Sequence, residues 1–229
     1  ISAFAALVWV LWLKSPIFPL DDAYIVQHAA QAILGDGEHR FPGATPMDGS
    51  TSPFHLLTIV LLSHWMPIPW AQWLVATLAA VFYLCGIALL AANFHISRFN
   101  SWILVFLAAC AGATVSHLLN GLETTLAMAA VTWSLILLRD PVPGRLGALL
   151  VGVMPFVRPE LGAFSLLLVF RWFLAVARTP APYKQQIPRL LWMLLGAMVP
   201  IVFILFEHGH LIPETASAKK YFFADAVSG

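Results

Sequence analysis

Long apolar runs, separated by short polar segments, occupy most of this chain. After a first run over residues 1–13, the runs that predict transmembrane helices cover Trp70 to Ala92, Trp102 to Leu118, Leu122 to Leu138, Leu146 to Val157, Leu161 to Val176 and Leu190 to Phe206. A helix needs about 20 apolar residues to cross about 30 Å of hydrocarbon. The pattern therefore predicts an all-α polytopic membrane protein with about seven spans.

The first run has two interpretations, a transmembrane helix or the core of a signal peptide. The chain begins at Ile1 without a Met, no basic segment precedes the run, and no A-x-A cleavage site follows it. A signal peptide has both features. We therefore expect residues 1–13 to be a first transmembrane helix without its start, and residues 1–229 to be an N-terminal fragment of a longer transmembrane domain.

One further apolar run, Phe54 to Met66, is too short for a span. It contains two histidines and stops at the Pro67-Ile68-Pro69 break. We interpret it as a juxtamembrane helix at the interface, with Trp65 and Trp70 as anchors. The long first loop, residues 14–69, thus carries two predicted juxtamembrane helices, at residues 23–34 and 54–66.

The charges agree with this topology. If the first loop is outside, the basic segments at Arg98, Arg139 to Arg145 and Arg178 to Arg189 all lie inside, as the positive-inside rule requires. Every acidic residue except Asp140 then lies outside. The Leu146 to Val157 run is also short, and we expect its helix to stop below the outer surface, so that nearby polar groups line a cavity.

Composition supports the same class. The chain is 60% hydrophobic and 10% charged, whereas about 25% of residues are charged in an average soluble domain. A net charge of +1 gives no indication of nucleic-acid binding. Cys85 and Cys110 lie in apolar runs and imply no disulfide framework.

Two adjacent carboxylates, Asp21 and Asp22, follow the first helix directly. One of them can cap the helix predicted at 23–34, but a cap does not require both. Sugar transfer to a hydroxyl needs a group that takes the hydroxyl proton or stabilises developing positive charge, and a carboxylate can do either. The pair is our candidate for the catalytic group.

Cations are needed wherever a lipid phosphate leaves the sugar. Arg158, Lys219 and Lys220 are the basic residues predicted on the outer face beyond the first loop, and we assign them to the donor phosphate. Lys14 and Arg40 have lipid headgroup contact as an alternative.

Other polar residues on the outer side are candidates for substrate binding or for the cavity. Glu123 opens a predicted transmembrane helix, where the helix dipole alone would favour a carboxylate. Glu160 follows Arg158 by two positions and could simply pair with it. The remaining candidates are Tyr24, His28, Ser50, Thr51 and Glu214. His208 and His210, with nearby acids, give weak support for a divalent cation, and we predict no certain cofactor.

The order of several motifs resembles the GT-C superfamily of polyprenyl-phosphate-sugar glycosyltransferases, especially the branch of the mycobacterial terminal arabinofuranosyltransferase. These motifs are Asp21-Asp22-Ala23-Tyr24-Ile25, Gly49-Ser50-Thr51-Ser52-Pro53, Gly121-Leu122-Glu123-Thr124, Arg158-Pro159-Glu160, and the stretch from Leu211 to Lys219. The chain departs from the family at Gln27 and His28, where a basic residue is usual, and at Ala216 and Ser217, where Tyr is usual.

The resemblance implies a GT-C transmembrane domain whose acidic pair supplies the catalytic carboxylate in a cavity open to lipid and periplasm. It implies a polyprenyl-phosphate donor, with arabinofuranose or a related pentose or hexose, and a periplasmic glycan, lipid or protein acceptor. The expected location is the bacterial inner membrane. The alternatives are a transporter or flippase for a lipid-linked sugar or small solute, and an assembly subunit without chemistry.

Overall fold

A computed structural model describes residues 16–18, 22–35, 50–139, 142–178 and 183–208. Within these ranges the chain forms α-helices and no strand. The helices are α1 (Asp22–Leu34), α2 (Pro53–Leu62), α3 (Ile68–Asn93), α4 (Arg98–Cys110), α5 (Gly112–Leu119), α6 (Thr124–Leu137), α7 (Arg145–Val157), α8 (Leu161–Arg178) and α9 (Tyr183–His208). The first predicted helix, residues 1–13, lies outside the described residues.

Three of these helices are long and apolar enough to cross a membrane. They are α3, α8 and the Lys184–Glu207 part of α9, by length and composition. Large apolar side chains cover the surface of the described residues, and Phe206 is 86% exposed and Phe94 75% exposed. Soluble monomers rarely expose such extended apolar surface. The fold therefore suits a helical membrane protein, and the total of about seven spans stays a prediction.

The first loop contains helices at both segments where the sequence predicts them, although α2 ends at Leu62 instead of Met66. Ser52 caps α2, because its hydroxyl accepts a hydrogen bond from the backbone N–H of His55, and Pro53 fits the first turn. The buried side of α2 packs in one core with Val26 of α1, Val75 of α3 and Ile204 of α9. This packing joins the loop helices to the long helices.

The apolar run from Trp102 to Leu118 is divided, although we expect one span there. Ala111 has an extended backbone (φ −60°, ψ 131°) and separates α4 from α5. An apolar run indicates which residues are suited to a lipid environment, but it does not determine whether they form one continuous helix.

A close contact between α7 and α9 fixes the position of the Arg158 segment. A Cβ atom at Gly152 would lie 2.0 Å from the backbone oxygen of Met193, and one at Gly196 would lie 2.3 Å from that of Leu149. Glycine is therefore required on both helices for this approach, as is common where membrane helices pack closely.

Contacts group the loops into two sets. Arg139 donates a hydrogen bond to Asn93, and both are predicted to lie inside, while Arg171 at the inner part of the predicted Leu161 to Val176 span donates to the backbone oxygen of Arg139. Thr51 and Arg158, both predicted outside, contact Glu123. The grouping agrees with the alternation in the predicted topology, while the side that faces the periplasm stays a prediction.

Candidate functional site

The site is centred on Glu123, in the turn between α5 and α6. Asn120 accepts a hydrogen bond from the backbone N–H of Leu122 at 3.0 Å, and Gly121 adopts a positive φ of 68°. An Asx turn followed by a left-handed glycine reverses the chain in few residues. Glu123 therefore lies directly before α6, but its side chain does not cap that helix.

The carboxylate of Glu123 instead binds two distant residues. Its Oε1 atom accepts hydrogen bonds from the Thr51 hydroxyl at 3.0 Å and from Arg158 Nε at 3.1 Å, and Arg158 Nη2 lies 3.0 Å from the same oxygen as an ion pair. The Glu123 side chain is 6% exposed and that of Arg158 is 39% exposed. A buried carboxylate needs a cation and hydrogen-bond donors, and this arrangement supplies both.

The ion pair of Arg158 is not the local pair with Glu160 that the sequence allows. Among the described residues, Arg158 pairs with Glu123 and not with its neighbour Glu160, which is exposed. The reason is the end of α7 at Val157, after which Arg158 has an extended backbone with φ −154° and ψ 139°.

Ser52 connects α2 to the end of α7. Its hydroxyl donates to the backbone oxygen of Phe156 at 3.3 Å, while it also accepts from the N–H of His55. The last carbonyls of a helix lack partners within the helix, so this contact satisfies one of them. It holds the Ser50 to Pro53 segment beside the Arg158 segment.

His55 lies on α2 and is 1% exposed, and neither ring nitrogen has a hydrogen-bond partner among the described residues. Helix α2 is not one of the three long helices. Burial lowers the pKa of the imidazole from 6.5 to about 4, whereas the nearby charge of Glu123 acts to raise it. The ring is therefore neutral at pH 7, and it is an uncommon buried group that the structure leaves unsatisfied.

Gln72, buried on α3, joins the start of α1 to the turn before Glu123. Its amide nitrogen donates to the backbone oxygens of Ala23 at 3.2 Å and Gly121 at 2.6 Å, and its oxygen accepts from Gln27 at 2.8 Å. The Ala23 residue follows Asp22 in the sequence. Gln72 thus brings the start of α1, which includes Asp22, next to the turn that contains Glu123.

The other predicted site residues have varied positions. Asp22 is the exposed first residue of α1, Tyr24 is exposed, and His28 is half-buried. Ser50 is buried and donates to the backbone oxygen of Ser52. In the described part of the chain, no hydrogen bond joins Asp22, Tyr24 or Glu160 to Glu123. Asp21, Glu214, Lys219 and Lys220 lie outside the described residues.

Comparison with known proteins gives no further guide to the function. No protein-family model, curated protein or solved structure matches this chain. The geometry around Glu123 and the sequence motifs are therefore the basis for a functional hypothesis.

Two residues of this site, His55 and Gln72, are absent from the sequence-based set. Each is a hydrogen-bonding side chain within an apolar run, and such residues often have a function in membrane proteins. That signal could have identified them. Within the described ranges, no group of three or more His, Cys, Asp or Glu residues could hold a metal ion; His210 and Glu214 lie outside those ranges.

Proposed function

We propose that this chain is a membrane glycosyltransferase of the GT-C type. It transfers a sugar, with arabinofuranose or a related pentose or hexose as the expected group, from a polyprenyl phosphate to a periplasmic glycan, lipid or protein. The observation that carries the proposal is the meeting of the motif segments. Thr51 and Arg158 bind one oxygen of Glu123 across 72 and 35 sequence positions, and Gln72 attaches the Ala23 segment to Gly121.

Arg158 supports a lipid phosphate as ligand. Glu123 holds one edge of its guanidinium, and the side chain stays 39% exposed, so another edge is accessible to an anion. A planar guanidinium suits phosphate oxygens. Because apolar side chains cover the surrounding helices, an isoprenoid chain can remain in lipid while its phosphate reaches Arg158.

The proposed reaction uses the acidic pair. The acceptor oxygen forms a bond to the anomeric carbon, and the bond from that carbon to the phosphate oxygen breaks. Asp21 or Asp22 takes the acceptor proton, or stabilises the charge on the sugar while that proton passes to water. The leaving polyprenyl phosphate gains one negative charge, which Arg158, Lys219 and Lys220 stabilise.

The test is turnover by the purified chain in lipid nanodiscs, with a radiolabelled short-chain polyprenyl-phosphate arabinofuranose and a panel of glycan, lipid and peptide acceptors. D21N, D22N and the double variant remove the carboxylates, and D140N is the matched control on the predicted inner side. We expect the double variant to lose at least about a hundredfold in rate, and D140N to retain activity.

Unchanged turnover in the double variant would end the assignment of the carboxylates. Movement of the labelled lipid across liposomes without a new glycosidic bond would favour the transporter or flippase. A folded chain that neither transfers a sugar nor moves the lipid, with any donor sugar, would reject both the transferase and the transporter hypotheses.

A further inference from the structure

Glu123 depends on one cation. In the part of the chain that the structure describes, its only ion pair is with Arg158, and this contact and the two side-chain hydrogen bonds from Thr51 and Arg158 all fall on Oε1. The carboxylate is nearly buried, so water can compensate little of its charge. Any change in the availability of Arg158 therefore alters the free energy of the charged carboxylate.

A phosphate bound at Arg158 makes such a change. Two anions then share one guanidinium, and the carboxylate is the buried one. Like charges at a common site favour protonation of one of them. A phosphodiester stays ionised at neutral pH, so the proton goes to the protein.

His55 offers a second position for that proton. Its ring nitrogens have no partner among the described residues, and the Glu123 charge acts on the imidazole. Other titratable groups at this end of the elements packed around α2 are Asp22, Tyr24, His28, Arg158, Glu160 and Glu207. Of the charged groups among the described residues, Glu123 is the one whose charge acts on the His55 imidazole.

We propose that binding of a phosphodiester at Arg158 is coupled to uptake of a proton by the Glu123–His55 pair. The proposal rests on the proposed function, because it takes the phosphate of the donor as the ligand. It goes further by stating what the buried charges do when that ligand arrives. Arg158 then binds a phosphate as well as the Glu123 carboxylate, and the proton keeps the charge of the site balanced.

The experiment is calorimetric titration of the purified chain in detergent with farnesyl methyl phosphate. This probe is a phosphodiester without sugar, and its charge is constant between about pH 5.5 and 8. Binding heats measured in buffers with different ionisation enthalpies give the number of protons taken up. We expect a value approaching one, and an affinity that rises by up to about tenfold for each unit that the pH falls.

Three variants locate the proton. E123Q should abolish the uptake, because no carboxylate remains that needs compensation. H55Q should reduce it, whereas H64Q should leave it unchanged, since His64 is an exposed histidine whose ring contacts the backbone oxygen of Val60. Size-exclusion profiles and thermal unfolding check that each variant is folded.

Binding of the probe without proton uptake in the wild-type chain would overturn the coupling and leave the transferase proposal intact. Equal uptake in the wild type and E123Q would also overturn it. Absence of binding would reject the phosphate site at Arg158, and the turnover assay would then decide the function separately.

Discussion

Arg158 contacts a single oxygen of Glu123 with two nitrogens, since Nε donates a hydrogen bond at 3.1 Å and Nη2 lies 3.0 Å away in the ion pair. The contact uses one edge of the guanidinium, and Thr51 donates a second hydrogen bond to that oxygen. The pair joins the end of α7 to the turn before α6 and connects both to the segment before α2. It thus determines how three separate parts of the chain meet.

Glu123→Gln should destabilise the protein by about 1–3 kcal/mol, because the amide keeps the shape but loses the charge that holds Arg158. Partial exposure of Arg158 limits the loss, since water can solvate it. Thermal unfolding in detergent measures the effect. Glu160→Gln is the control, because that residue is exposed, and equal effects of the two substitutions would contradict the structural role of Glu123.

Gln72→Leu should lower stability by about 2–4 kcal/mol, since it removes three buried hydrogen bonds, those with the Gln27 amide and with the backbone oxygens of Ala23 and Gly121. Hydrogen exchange should also increase at the first turn of α1. Thr77→Val on the same helix removes only a hydrogen bond to the backbone oxygen of Trp73 and should have a smaller effect. If both substitutions gave the same exchange at α1, the connection through Gln72 would be wrong.

Gly152→Ala should separate α7 from α9, because the new methyl group would lie 2.0 Å from the backbone oxygen of Met193. We expect a loss of about 1–3 kcal/mol, as for overpacked cores. Gly144→Ala is the control, since a Cβ there meets no atom within 4 Å. A Gly152 variant as stable as this control would show that the two helices do not pack as described.

His55 should make the fold sensitive to acid. Its pKa is about 4 in the folded state and 6.5 as the ordinary value, so the unfolded chain binds this proton first as the pH falls. Its contribution to stability is therefore present above about pH 6.5 and is lost towards pH 4, by about 2 kcal/mol at pH 5.

Unfolding midpoints at pH 7 and pH 5 measure this effect. His55→Gln should lose less stability between the two values than the wild type, and His64→Gln should behave like the wild type. An identical acid response in all three proteins would exclude His55 as its source.

Hydropathy and helix-breaking residues were sufficient to predict the positions of many of the helices. The polar segment after Leu34 correctly predicts the end of α1, and the Pro67-Ile68-Pro69 break correctly predicts the separation of α2 from α3. They could not reveal the division at Ala111, because both sides of it are apolar. The exposed apolar surface of the long helices follows directly from their composition.

The partners within the site were harder to predict. Glu160 is the nearest acid to Arg158 in sequence, but the bond goes to Glu123, 35 positions away. Side-chain partners at that separation depend on how the helices pack, which periodicity does not specify. His55 and Gln72 were missed as site residues for a related reason, since an isolated polar residue in an apolar run does not identify its neighbours.

The long separation between Glu123 and Arg158 also affects biosynthesis. The ribosome completes α6 and must add 35 positions beyond Glu123 before its cation exists. Until then, the nascent chain carries Glu123 directly before α6 without the cation that pairs with it in the folded protein. Assembly of this site therefore follows translation of α7, and a chain that stops before Arg158 leaves the Glu123 carboxylate without its ion pair.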